Sequence, residues 1–334
     1  MAQRLLGRFQ SSAWLVWSAL LIVYVVWGST YLAIAVVVKS MPPFASAGIR
    51  FVVAGLIMAA VIAAIRGPRH LAMTRHQLVA AGLVGLALLL GGNGLVMVAE
   101  RTVPSGLAAL IIAVVPLFIV LLRVVNRERV RRGTLGGVLV GFAGVGLLVG
   151  SRGLTGEVDM LGMLLLIAAS LSWAIGSYYS RRMPIPADPF VSSTAQQLVA
   201  GAVLLAVAAG AGDLGAFSLG SFAPESILAL AYLIVFGSVI AFSAYTWLLA
   251  NAPVSKVATY AYVNPVVAIF LGWLILAESV TPAMVVGGLL VVLGVALVIR
   301  TEGRRPQRLA AVEMPAATVS RTRGASQQDH ARAR

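Results

Sequence analysis

Ten apolar stretches divide this 334-residue chain, each of them close to the roughly 20 residues that a helix needs to cross a hydrocarbon layer. Breaking the sequence at charges, prolines and turn residues gives 14–38, 44–65, 77–98, 105–122 and 134–150 in the first half. The second half continues with 161–180, 191–209, 226–249, 257–277 and 282–299. The connections are too short to hold a soluble domain. Composition points the same way: 60% of the residues are hydrophobic, 11% are charged, and mean hydropathy is +0.96. Soluble domains average about 45–50% apolar and about 25% charged. The sequence therefore predicts an all-α membrane protein with ten transmembrane helices.

The formal net charge of +14 would suit a nucleic-acid partner, but its distribution does not. The basic residues sit in short clusters between apolar stretches and in the final segment, which is the pattern that sets membrane topology. With the N-terminus in the cytoplasm, 21 of the 25 Lys and Arg fall on the cytoplasmic side. The outer side keeps Lys39, Arg50, Arg101 and Arg152. Both termini are thus expected in the cytoplasm. The first stretch exceeds the 7–15 residues of a signal-peptide core and reads as a retained helix. Residues 1–12 form a cytoplasmic N-terminus, and 301–334 form a basic tail too polar to fold alone. The chain has no cysteine, which excludes disulfides and thiolate chemistry. Arginine outnumbers lysine 23 to 2, a usage that suggests a GC-rich bacterial genome and so the inner membrane.

A repeat connects the two halves. Ser105 matches Ser255, Ala108 matches Ala258, Pro116 matches Pro265 and Glu128 matches Glu278. Gly136-Gly137 match Gly287-Gly288, and Gly144 matches Gly294, all at an offset of 149–151. Earlier, "WGSTY" at 27–31 faces "WAIGSYY" at 173–179. One offset spans five crossings, an odd number, so each helix of the second half runs opposite to its partner. The expectation is two inverted five-helix repeats, residues 13–150 and 160–300, around a central cavity. Inverted repeats are the construction that opens a carrier to one side and then the other.

The order of these features resembles the EamA-type drug/metabolite transporters. The likeness rests on "WGSTY" near the end of the first helix, "MPPF" at 41–44 and "GIRFVVAG" at 48–55. It also rests on "GNGLVMVAERTVPSGLAAL" from 92 onward, and on a proline, an acidic residue and a glycine-rich last helix closing each half. It covers roughly residues 13–300. The resemblance implies a ten-helix bundle that exports small metabolites or amino acids by alternating access, and it names no single substrate.

Polar groups inside a bundle are expensive, so their positions are functional clues. At helical spacing, Trp27, Thr30 and Tyr31 share a face of the first helix, and Ser170, Trp173 and Ser177 share one of the sixth. Asn93 lies in the third, Ser238 and Tyr245 in the eighth, and Tyr260 and Asn264 in the ninth. These residues are expected to wall a substrate cavity with aromatics, amides and hydroxyls. Pro116 and Pro265 are expected to kink the fourth helix of each half beside it. Glu100 and Arg101 read as a surface pair in an outer loop. No acidic residue stands at the middle of any span, so neutral or zwitterionic substrates are favoured over lipophilic cations exchanged for protons.

A carrier of larger phosphorylated substrates such as nucleotide sugars would need cations in the cavity, and Arg50 alone is a thin provision. A proton-coupled drug exporter is a further alternative. An intramembrane enzyme is disfavoured, because His70, His76 and His330 fall in cytoplasmic segments and no HExxH occurs. No cofactor and no metal site are read. The partners are a small-molecule substrate and the lipid bilayer, not nucleic acid. Gly133, Gly137 and Gly141 form a small-residue face that suits packing within the bundle as well as between copies, so the oligomeric state stays open.

Overall fold

A computed structural model of the chain describes residues 13–153, 158–213, 222–252, 257 and 259–302. Residues 1–12, the tail from 303, and the repeat partners Ser255 and Ala258 lie outside the described residues. The first half comprises α1 (Ala13–Val37), α2 (Pro43–Arg66), α3 (Arg75–Ala99), α4 (Ser105–Val125) and α5 (Arg132–Gly153). The second comprises α6 (Met160–Ser180), α7 (Pro189–Gly210), α8 (beginning Pro224–Tyr232 and ending Phe242–Asn251), α9 (Tyr260–Leu276) and α10 (Pro282–Glu302). Nine of these are long and apolar enough to cross a membrane, and α9 is a shorter apolar helix of 17 residues. Leu139 and Leu228 are 71% and 73% exposed, tolerable on this scale only when lipid replaces water around the bundle.

The helices start where local chemistry releases the backbone. Thr74 opens α3 with a capping box, accepting from the Gln77 amide N–H while the Gln77 side chain accepts from the Thr74 N–H. Asp159 and Asp188 open α6 and α7 by accepting from two backbone amides each, as side-chain oxygens at a helix start commonly do. Prolines begin α2, α7 and α10, at positions where a missing N–H costs no helical hydrogen bond.

Packing follows the twofold relation between halves. α2 runs along α7 and α5 along α10; α1 contacts α8 and α9, as its counterpart α6 contacts α3 and α4. The backbones of α5 and α10 touch. A Cβ on Gly144 would lie 2.7 Å from the Gly287 carbonyl oxygen, and one on Gly294 would lie 2.4 Å from the Gly141 nitrogen. The small-residue face of α5 is therefore used inside the bundle.

The two halves also share a distortion. Leu86–Gly94 in α3 and Leu233–Ala241 in α8 are both nine-residue π-helical segments, 147 residues apart. A π turn shifts carbonyls out of their usual ladder and is frequent at functional sites. Each segment is tied across the halves by a side chain of the other. Trp27 Nε1 donates to the Gly237 carbonyl at 3.3 Å, and Ser172 Oγ donates to the Ala87 carbonyl at 2.8 Å.

The two prolines sit differently in their helices. The fourth helix is interrupted rather than kinked at Pro116: it runs Ser105–Ile112 and resumes as Val115–Val125. Pro116 therefore stands in the first turn of a new helical piece, where its ring is pre-organised and no N–H is missed. Pro265 instead lies inside α9, so the two repeat-related prolines occupy different positions in their helices.

Candidate functional site

Eight helices wall a central cavity. Of the residues expected there, Trp27, Thr30, Tyr31, Asn93, Trp173, Ser238, Tyr260 and Asn264 line it, as does Pro265. Three do not. Ser170 is fully buried and donates to the Leu166 carbonyl at 2.8 Å, the bond back to the preceding turn that serines in helices commonly make. Ser177 lies outside the cavity, half-buried. Tyr245 packs on Trp27 at 4.8 Å and on Tyr260 at 5.8 Å without reaching the cavity wall. Helical spacing places residues on a face, but it does not say which neighbour covers that face.

The π segments bring backbone and polar groups to the cavity together. Gly92 and Asn93 come from the first of them, Gly237 and Ser238 from the second. Trp27 anchors an aromatic cluster, with Trp173 edge-on at 6.1 Å and Tyr260 edge-on at 5.4 Å. Aromatic rings meeting edge to face hold one another in fixed orientations, so the apolar part of this wall is built before any substrate arrives.

Two lining residues were missed or undervalued in the sequence. Arg50 reads there as an outer-side charge, yet it is 4% exposed and reaches across the halves from α2 to α8, where Nε donates to Ser238 Oγ at 2.8 Å. It is the only Lys, Arg, His, Asp or Glu among the described residues that line the cavity. Gln197, 1% exposed on α7, spends its amide nitrogen on Met58 Sδ at 2.9 Å. A pair of glutamines, Gln196-Gln197, inside a membrane span was the available signal.

Beyond the cavity, the two ends of the bundle are held by carboxylates. At one end Glu278, which follows α9, accepts from the backbone N–H of Ser105 at 2.8 Å and of Gly106 at 3.1 Å. A carboxylate there meets the positive end of the α4 dipole. Nearby Thr102 donates to Asp159, and Ser226 donates to the Val36 carbonyl. Glu100 also lies at this end, but not as a surface pair with Arg101. It is 6% exposed, Arg101 is exposed, and no side chain hydrogen-bonds to either Glu100 oxygen. Burial pushes the Glu100 carboxyl well above its ordinary range, and the charge of Glu278 adds to the rise.

At the opposite end Glu128, the repeat partner of Glu278, is bound by Arg123, by the Tyr178 hydroxyl at 2.8 Å and by Arg182. Hydrogen bonds from Arg123 and then Tyr178 hold its carboxyl below the ordinary value. Asp188 joins α2 to α7 there through Arg66 at 2.5 Å and His70 at 2.9 Å. Burial opposes its charge, but the hydrogen bonds from His70 and the Phe190 and Val191 amides, with the Arg66 charge, leave its carboxyl lowered.

Comparison with known proteins places this architecture. The model of the EamA-like transporter family matches twice, at residues 14–150 and 160–300. The chain belongs to the EamA-like transporter family. As a member it is an integral membrane transporter built on two copies of the EamA unit. It is 40% identical over 257 residues, 76% of this chain and 80% of the other, to the uncharacterized inner membrane transporter YedA of Escherichia coli K12. It is 28% identical over 300 residues, 87% of this chain and 96% of the other, to a probable amino-acid metabolite efflux pump of Salmonella typhimurium LT2. A solved crystal structure shares the fold at a TM-score of 0.61 and 23% identity, covering 89% of this chain and all of that one.

Proposed function

We propose that this EamA-like transporter moves small neutral or zwitterionic metabolites, amino acids among them, by alternating access and in the export direction. The observation that carries the reading is the cavity: polar and aromatic groups from both halves meet at the repeat interface, where carriers with inverted repeats hold their substrates. The Salmonella relative named as an amino-acid metabolite efflux pump supports the substrate class, and the E. coli inner membrane relative supports an inner-membrane location. The distribution of Lys and Arg supports cytoplasmic termini, which puts the Glu278 latch at the outer end.

Alternation needs two arrangements of equivalent parts. Glu278 and Glu128 are equivalent by repeat yet differently bonded: one caps a helix of the other half, the other is taken up by Arg123, Tyr178 and Arg182. That asymmetry, with both ends tied across the halves but by different bonds, supports a carrier whose two ends can open separately. A carrier for phosphorylated substrates is less well supported, because one cation faces the described cavity and a phosphomonoester brings close to two negative charges.

The test is counterflow in proteoliposomes. Vesicles loaded with unlabelled amino acids should take up labelled amino acid from outside saturably, faster than empty vesicles, and without following an imposed pH gradient. Non-saturable flux with no acceleration by internal substrate would mean a channel. Uptake that tracks the pH gradient would overturn the uncoupled reading and implicate Glu100 or Glu278.

A further inference from the structure

We infer that Arg50 is the anchor for the substrate's carboxylate, so that the cavity selects zwitterions over uncharged solutes of the same shape. This rests on the proposed function and narrows its substrate class. Three features of the cavity wall converge. Arg50 is a buried cation on the cavity wall, 4% exposed, whose Nη1 has no hydrogen-bond partner. No acidic residue among the described lining residues balances it. Two lining amides, Gln197 and Asn264, likewise leave a side-chain oxygen, Oε1 and Oδ1, without a partner.

A buried charge without a counter-ion is costly, and proteins normally pair it or leave it in water. Arg50 is instead held in place by Ser238 through Nε and by the Phe51 ring 4.9 Å from its guanidinium carbon. Holding the guanidinium by its Nε edge leaves an outer N–H for a carboxylate, the group whose geometry it matches. A monoanionic head neutralises the described cavity, whereas a lipophilic cation would be repelled by it.

The other end of a zwitterion finds the complementary chemistry. An ammonium donates to amide oxygens, which Gln197 and Asn264 have to spare. It is also attracted to aromatic faces, which Trp27 and Tyr260 supply. The cation comes from α2 and the amide acceptors come from α7 and α9, so a bound zwitterion would join both halves.

The experiment uses the full chain in proteoliposomes with L-leucine, L-phenylalanine and L-threonine as probes and their methyl esters as competitors. The ester keeps the ammonium and side chain but loses the carboxylate. On this assignment the free acids compete at least tenfold better than the esters in the unmodified protein. Arg50→Gln should lower uptake efficiency for the acids by about ten- to a hundredfold, the range expected for one hydrogen bond to a charged partner. It should also bring acid and ester to parity, with Arg50→Lys recovering part of the difference. Equal competition by acid and ester in the unmodified protein would overturn the assignment whether or not the variants fold, and would leave the transport reading standing. Saturable uptake of uncharged solutes with no uptake of any acid would instead bring down the zwitterion reading and this assignment with it.

Discussion

Glu278→Gln tests the latch between the halves. Glu278 receives two backbone N–H bonds, at 2.8 and 3.1 Å, from the first turn of α4. Glutamine keeps one acceptor oxygen and removes the charge. Hydrogen bonds to charged groups contribute about 1.5–3 kcal/mol, and a carboxylate at a helix start adds about 0.3–1 kcal/mol. Glu278 is half-buried, so water recovers part of this and a net loss of about 1–2 kcal/mol is reasonable. That corresponds to a roughly five- to thirtyfold shift of the latched equilibrium. The chain has no cysteine, so Ala109→Cys, on the cavity-lining face of α4, gives a clean reporter. Its reaction with a membrane-impermeant maleimide from the Ser105 end should accelerate by about that factor when Glu278→Gln is added. Glu225→Gln, on the exposed first turn of α8, should leave the rate unchanged. An unchanged or slower rate in the Glu278 variant would refute the latch.

Three further outcomes follow from the packing and the charges. Gly294→Ala should destabilise the detergent-purified protein by about 3 kcal/mol, the upper end of the usual cost of overpacking, since its Cβ would meet backbone atoms of Gly137 and Gly141; a thermal or denaturant midpoint equal to that of the unmodified chain would contradict the close contact. Glu100 faces Glu278, Tyr31 and the Ala35 backbone. Because its folded carboxyl titrates above its unfolded value, stability is greatest below the ordinary carboxyl range and falls as pH rises toward the folded value. Glu100→Gln should therefore melt higher than the unmodified protein at pH 8, with the gap closing toward pH 5. Gly237→Val should impair recognition of amino acids more than of their esters, because a Cβ there would lie 3.1 Å from Arg50 Nη2; competition assays read this as a loss of the acid-to-ester preference.

The membrane spans were legible because a helix that crosses lipid must be apolar along its whole length, and such a run needs no knowledge of neighbours. The predicted starts at 44, 105, 161 and 282 fall within one residue of the observed α2, α4, α6 and α10. The repeat was legible through glycines and prolines, and the π-helical segments of α3 and α8 share nearly its offset. The segments themselves were not legible: a π turn comes from how carbonyls are shared across helices, and "LALLLGGNG" and "LIVFGSVIA" have no common residue pattern that announces it. Arg50 was misjudged because its partner Ser238 lies 188 residues away. Glu278 showed only as the repeat partner of Glu128, since the amides it caps are 172 and 173 residues distant. Tyr245 was placed on the correct helix, but which of its neighbours stood between it and the cavity depended on the Trp27 ring.

The central claim is that one cavity opens in turn to each side of the membrane. Asn93→Cys places a single reactive group on the described cavity wall, in oriented vesicles where a membrane-impermeant maleimide can be applied from either face. The account predicts reaction from both faces, protection from each by saturating amino acid, and a slower rate from the Ser105 end that Glu278→Gln raises. Reaction from one face only, or from both at rates that substrate does not change, would contradict it.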